Sequence, residues 1–262
     1  MSASYTIALD AMGGDNAPAI VVKGADLARR RFPDIRFRMF GDEARIMSLI
    51  ARRKRLREIT EIVHTDNAIS SDMTVSVAIR KGRQSSMQLA IDAVRDGDAE
   101  GIVSAGNTGA LMAMAKLSLR TLPGIHRPAI AAIFPSIRGE SVMLDLGANV
   151  ECSAENLVQF ALMGDVFART VLGNVNPTCG LLNVGSEEMK GHAEIQQAAA
   201  YLRQMSGTFN FHGFVEGDDI AAGTTDVVVS DGFSGNIALK ATEGTARLIK
   251  EFLGDAFRSS LS

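Results

Sequence analysis

Two short loops in this chain repeat one chemical pattern. Val103-Ser104-Ala105-Gly106-Asn107-Thr108-Gly109 and Val229-Ser230-Asp231-Gly232-Phe233-Ser234-Gly235 both read V-S-x-G-x-[ST]-G, each where an apolar run gives way to a helical pattern. Glycine-rich backbone with Ser, Thr and Asn at a helix start offers N–H and hydroxyl donors, and the helix dipole favours an anion there. Phosphate binding is therefore the chemistry expected of Ser104, Gly106, Asn107, Thr108 and Gly109, and of Ser230, Asp231, Gly232, Ser234 and Gly235. The same composition also arises when a short strand–helix connection merely needs glycine and a cap. Asp231 repels an anion, so it is expected to orient neighbouring donors rather than touch the substrate.

Two further groups could stabilise developing charge. Lys190 sits in Gly185-Ser186-Glu187-Glu188-Met189-Lys190-Gly191, just after an apolar run. Its ammonium could bind phosphate or polarise a thioester carbonyl. The plain alternative is a solvated lysine paired with Glu187 or Glu188. Asn236 follows Gly235, and its amide suits an oxyanion or phosphoryl oxygen. It serves equally as a helix cap, with Lys240 facing solvent.

The segment Asp10-Ala11-Met12-Gly13-Gly14-Asp15-Asn16-Ala17-Pro18 links an apolar run, Tyr5 to Leu9, to a helix beginning at or just after Pro18. That arrangement places Asp10, Gly13, Gly14, Asp15 and Asn16 at the carboxyl edge of a parallel sheet, where open α/β folds bind ligands. A tight turn with acidic caps would look the same. The glycine spacing fits neither a dinucleotide fingerprint nor a P-loop. Two carboxylates alone do not supply an oxygen cage for Mg²⁺ or Ca²⁺, so no metal is expected, and the pair reads as organisers of the cleft. Of the four histidines, only His192, near Lys190, is a candidate acid or base, against a structural or surface role. There is no G-x-S-x-G elbow, and Cys152 and Cys179 lack metal or redox spacing.

The elements that must position these groups alternate along the chain. Strands are expected at 35–40, 59–64, 101–103, 129–134, 141–146, 180–184, 211–215 and 227–230. Helices are expected at 43–57, 74–83, 86–95, 109–120, 154–172 and 193–205. The alternation predicts parallel βαβ units in a doubly wound, mostly parallel sheet with helices on both faces, a three-layer αβα architecture. No linker marks a boundary, so a single α/β domain over 1–262 is expected. An apolar content of 46% with 22% charged residues excludes disorder, and a net charge of −3 argues against general nucleic-acid binding. No leader pattern opens the chain and no apolar run spans a bilayer, so a cytoplasmic protein is expected. Arg29-Arg30-Arg31 and Arg52-Arg53-Lys54-Arg55 with Arg57 form basic stretches, either solvated helix faces or a docking surface for an acidic partner. Leu248, Ile249, Phe252, Leu253, Ala256 and Phe257 form an apolar ridge at helical spacing, by default core or a dimer contact.

Five separated motifs in order carry a family resemblance. They are Asp10-Ala11-Met12-Gly13-Gly14-Asp15, Ser104 to Ala110, Asp145-Leu146-Gly147-Ala148-Asn149, Glu187-Glu188-Met189-Lys190-Gly191 and Ser230 to Asn236. Together they resemble the bacterial phosphate acyltransferase family, PlsX, across essentially the whole chain. The resemblance implies an enzyme moving a long-chain acyl group from an acyl carrier protein thioester to inorganic phosphate, for phospholipid synthesis and without a cofactor. It implies a fold like that of isocitrate and isopropylmalate dehydrogenases, with the opening loop and the loops at Ser104, Lys190 and Ser230 walling one anion-binding cleft. It favours Lys190 and Asn236 as the catalytic, charge-stabilising groups. Acyl carrier protein, a second copy of the chain, the membrane surface and a downstream membrane glycerol-phosphate acyltransferase are the implied partners, and no nucleic acid is. Family members usually continue several dozen residues past Ser262, into a helical hairpin, so the chain reads as truncated. The rival readings are a phosphate acetyltransferase using acyl-CoA, a decarboxylating dehydrogenase, or a non-catalytic membrane-peripheral scaffold.

Overall fold

A computed structural model describes residues 4–205 and 207–259. The chain divides into two compact units, one up to Leu122 and one from Pro123.

The first unit runs β1 (Tyr5–Asp10), α1 (Ala19–Arg31), β2 (Ile35–Gly41), α2 (Glu43–Ile50), α3 (Lys54–Glu58), β3 (Thr60–His64), α4 (Val75–Lys81), α5 (Ser86–Arg95), β4 (Gly101–Val103) and α6 (Thr108–Leu119). Its four strands are all parallel, in the order β3-β2-β1-β4. Alternation along the strands splits the core between two faces. Leu9, Phe37 and Met39 pack with Val22, Ile46, Ile50 and Leu56 of α1–α3. Ala8 and Phe40 pack with Ala90 and Ala93 of α5 on the other face.

The helix expected at 43–57 breaks after Ile50. Ile46 and Ile50 are one turn apart, but Leu56 lies out of that register, and all three are buried. Burying one such side chain is worth about 1.5–3 kcal/mol, enough to justify a break of a few residues that returns Leu56 to the core. The region from 74 to 95 divides similarly, at Gly82, and α5 restarts with Ser85 capping Gln88 N–H at 3.2 Å.

The second unit runs β5 (Ala131–Ser136), β6 (Gly139–Leu144), α7 (Ala154–Phe167), β7 (Cys179–Leu182), α8 (Ala193–Gln204), β8 (Phe211–Val215), α9 (Gly217–Ala222), β9 (Val227–Val229) and α10 (Gly232–Ser259). Helix α7 continues through one π-helical turn, Ala168–Leu172. The strand order is β5-β6-β9-β7-β8, parallel throughout except for the β5–β6 hairpin. Val142, Leu144, Leu181, Val227 and Val229 face α7 and α8, whereas Met143 and Val228 face α9 and α10. Both units are therefore helix–sheet–helix sandwiches, the three-layer α/β architecture the alternation predicts. Helix α9 had no counterpart among the expected elements; its six residues are too few to show a helical period. The apolar ridge on α10 is not core. Leu248, Ile249, Phe252, Leu253 and Phe257 are each about half or more exposed.

Candidate active site

Parallel strands deliver their loops to the carboxyl edge of each sheet, so strand order decides which loops meet. In the first unit β1 and β4 are neighbours, which brings the opening loop against the Ser104 loop. Asp10 is buried and accepts the Ser86 hydroxyl at 2.6 Å and the Ser104 hydroxyl at 2.7 Å. Ser104 Oγ in turn accepts from Gly106 N–H at 3.1 Å. Gly14 has a φ of +91°, and a Cβ there would lie 2.6 Å from the Ala105 carbonyl oxygen. Asp15 and Asn16 are exposed, and Asp15 accepts from Ser71 Oγ at 3.1 Å. The two carboxylates are thus separated by environment, one a buried tether and one at the surface.

Asn107 is committed to structure at both ends of its amide. Its oxygen caps α6 by accepting Ala110 N–H at 3.0 Å, and its nitrogen donates to the Met73 and Ser71 carbonyls at 2.8 and 3.2 Å. What Thr108 and Gly109 can offer an anion is the first turn of α6 itself.

In the second unit β6, β9 and β7 are adjacent, and their trailing loops share one edge: 145–149, 230–236 and 183–191. The centre of this edge is a residue whose role sequence reasoning missed. Asp145 is fully buried. One of its oxygens accepts from Ile130 N–H at 2.9 Å and Ala148 N–H at 3.0 Å. The other accepts from Asn149 N–H at 2.7 Å and the Asn149 amide at 2.8 Å. Asn149 also donates to the Pro128 carbonyl at 2.8 Å. Ser230, itself buried, donates its hydroxyl to the Asp145 carbonyl at 3.3 Å, and the Asp145 N–H donates to the Ser230 carbonyl at 3.1 Å. Three segments are pinned together by one carboxylate residue. The available signal was an aspartate ending the apolar run Val142-Met143-Leu144, a position where an unpaired charge would be costly.

Helix α10 starts against this hub. A Cβ on Gly232 would lie 2.7 Å from the Asn149 carbonyl oxygen, and one on Gly235 would collide with the Asp145 carbonyl and lie 2.6 Å from Ser230 Oγ. These glycines permit close packing. Asp231 accepts from the Ser234 N–H and hydroxyl at 2.8 and 3.0 Å, orienting Ser234. Asn236 is exposed and lies beside Gly147.

The Lys190 loop is held from below. Buried Asn183 donates to the Gly185 and Lys190 carbonyls, both at 3.1 Å, and Gln196 donates to the Met189 and Gly191 carbonyls at 3.0 and 3.2 Å. Lys190 itself is exposed and paired with Glu187 at 2.7 Å. The hydrogen bond that Lys190 donates to Glu187 raises the lysine's pKa and lowers that of Glu187, so both stay charged near neutrality.

A cleft of about 1050 Å³ opens in this unit, lined by residues of the segments around His126, Cys152, Glu194 and Phe233, with Asn156 and Leu157; Gly232 is not among them. It takes in Asp231, Ser234 and His192; Lys190 and Asn236 are not among its lining residues. Cys152 borders it, but burial and then the charge of Asp145 push its thiol up to about 11, which leaves it protonated near neutrality.

Sandwiches of this kind, with polar loops gathered at the strand ends, define a three-layer α/β protein. A phosphotransacetylase from Streptococcus pyogenes superposes with a TM-score of 0.69 at 16% identity, covering 93% of this chain and 82% of that one. The EutD phosphotransacetylase from Staphylococcus aureus gives 0.65 at 18%, with the same coverage. The sequence goes further than the fold. Residues 5–262 match the family described as "Fatty acid synthesis protein". The phosphate acyltransferase of Rhodospirillum centenum is 64% identical over 261 residues, spanning 100% of this chain and 74% of that protein. That of Rhodospirillum rubrum is 59% identical, spanning 100% and 75%. The chain belongs to this family and is an acyl-transferring enzyme.

Proposed function

We propose that the protein moves a long-chain acyl group from an acyl carrier protein thioester to inorganic phosphate, giving an acyl phosphate and free carrier thiol for phospholipid synthesis. The observation that carries this reading is the 64% identity, across the whole chain, to a relative named phosphate acyltransferase. A phosphate oxygen attacks the thioester carbonyl, the acyl–sulfur bond breaks, and the thiolate leaves to take a proton from solvent.

This chemistry asks little of the enzyme in acid–base terms. The second ionisation of a phosphate falls near pH 6, by analogy with phosphomonoesters, so much of it is already a dianion at neutrality. A simple thiol has a pKa of about 8.5 and leaves readily. Catalysis then rests on positioning and on stabilising the tetrahedral oxyanion. Lys190 is charged and on the surface, and the Asn236 amide is exposed near the start of α10, as those two roles need. The loops at Ser104 and Ser230 are assigned to phosphate, and the buried Asp10 tether organises the first of them. A surplus of twelve Lys and Arg over five Asp and Glu between Ala19 and Glu58, on a chain of net charge −3, supports docking of an acidic carrier. The exposed ridge of α10 supports an apolar contact, with a second copy or a membrane surface.

Purified protein should release carrier thiol from palmitoyl carrier only when phosphate is present, and leave acetyl-CoA untouched. Lys190→Ala should lose most of that activity while melting at an unchanged temperature. Release without phosphate would mark a thioesterase and defeat the reading; near-normal turnover by the variant would remove Lys190 from it.

A further inference from the structure

We infer that Arg127 binds a phosphate group in the cleft of the second unit, either that of inorganic phosphate or that of the phosphopantetheine arm on the thioester donor. The inference rests on acyl transfer to phosphate as its context and adds a residue that no motif pointed to.

Charge accounting on the cleft wall singles out this side chain. Arg127 is the only Lys or Arg among the lining residues, and among the described residues its guanidinium forms no ion pair. Its one hydrogen bond, from Nη1 to the Glu151 carbonyl oxygen at 3.3 Å, is long and to a neutral acceptor. Most of its donors remain open for a tetrahedral anion, which a guanidinium fork matches well. Lys190, by contrast, already faces Glu187.

The carboxylates on the wall outnumber this one guanidinium, and helix ends beside it supply the opposing positive potential. Glu151, Glu194 and Asp231 are the carboxylates on the wall, and Asp231 spends both oxygens on Ser234. Helices α7, α8 and α10 all begin at this wall, through Ser153, His192 and Asp231, so three positive helix ends add to the cation. The arginine's backbone is also fixed. Pro128, next in the chain, accepts from Asn149, which the buried Asp145 holds. At about 1050 Å³ the cleft far exceeds one phosphate and leaves room for an extended donor arm.

Calorimetric titration of the wild-type protein with inorganic phosphate and, separately, with 4′-phosphopantetheine tests binding without turnover. Arg127→Gln should weaken at least one of the two tenfold or more, Arg127→Lys should recover part of it, and both variants should melt like wild type. In the thiol-release assay the KM of the same substrate should rise while that of the other holds, which tells the two sources apart. Equal affinities for both ligands in wild type and Arg127→Gln, or no binding by wild type, would overturn the inference. Binding lost in the variant while wild type lacks phosphate-dependent release would uphold it and defeat the proposed function instead.

Discussion

Replacing each buried aspartate by asparagine should produce very different losses at the two sites, because their partners differ in freedom. Asn at 145 can keep its oxygen on the N–H groups of Ile130 and Ala148. Its new amide nitrogen then faces Asn149 N–H at 2.7 Å and the Asn149 amide at 2.8 Å, donor against donor. Two buried donors without partners cost about 1–3 kcal/mol each, so Asp145→Asn should lose about 2–6 kcal/mol. At Asp10 the partners are the hydroxyls of Ser86 and Ser104. A hydroxyl rotates from donor to acceptor, so Asp10→Asn can satisfy both ends at a cost of about 1 kcal/mol. With no tryptophan in the chain, urea unfolding followed by far-ultraviolet circular dichroism is the suitable assay. Both variants keep the same side-chain volume, which removes cavity effects from the comparison. A loss at position 145 below about 1 kcal/mol, or no larger than that at position 10, would refute the reasoning from partner freedom.

Two other outcomes follow from the same geometry. With its thiol pushed up to about 11 by burial, Cys152 should alkylate with iodoacetamide at pH 8 roughly a hundredfold slower than a free cysteine of pKa about 8.5; complete labelling within minutes, read by mass spectrometry, would contradict this. Reversing charge at Arg52, just before α3, and Arg55, within it, both exposed, should raise the KM for a carrier thioester several-fold at low salt and hardly at all in 0.5 M salt, as expected for screened attraction (on the order of a 10 Å Debye length at 0.1 M). A KM unchanged at low salt would place the docking surface elsewhere.

Much of the architecture was legible because strand and helix periods differ. The valines at 227–229 are continuous, as a fully buried parallel strand must be, whereas 35–40 alternates apolar residues with Arg36 and Arg38 before Met39-Phe40; both expected strands fall within one residue of β9 and β2. Boundaries failed where packing outweighed local pattern, as at Ile50, where core register rather than any breaker residue ends the helix. The candidate loops were found from composition, but composition could not say which donors were already spent. Ser104 and Ser230 share a motif position; one hydroxyl is tied to a carboxylate and the other to a main-chain carbonyl, and only the fold supplies those partners. Asp145, Asn183 and Arg127 were missed for a related reason. Their roles lie in the partners the fold gives them, such as Ile130 and Ser230 for Asp145 or the Glu151 carbonyl for Arg127, and the sequence signalled at most a charge at the end of an apolar run.

The hub at Asp145 has a bearing on how the cleft comes into being. Its acceptors gather groups from 130, 148 and 149, while its own main chain exchanges hydrogen bonds with Ser230, 85 positions away. Once the carboxylate is buried, releasing any one of these groups leaves a polar atom stranded away from water. That penalty ties the segments at 130, 148–149 and 230 to one another. The hub is expected to open by cooperative unfolding of its unit rather than by local fraying, so the amides of Ile130, Ala148 and Asn149 should sit among the slowest to exchange with solvent.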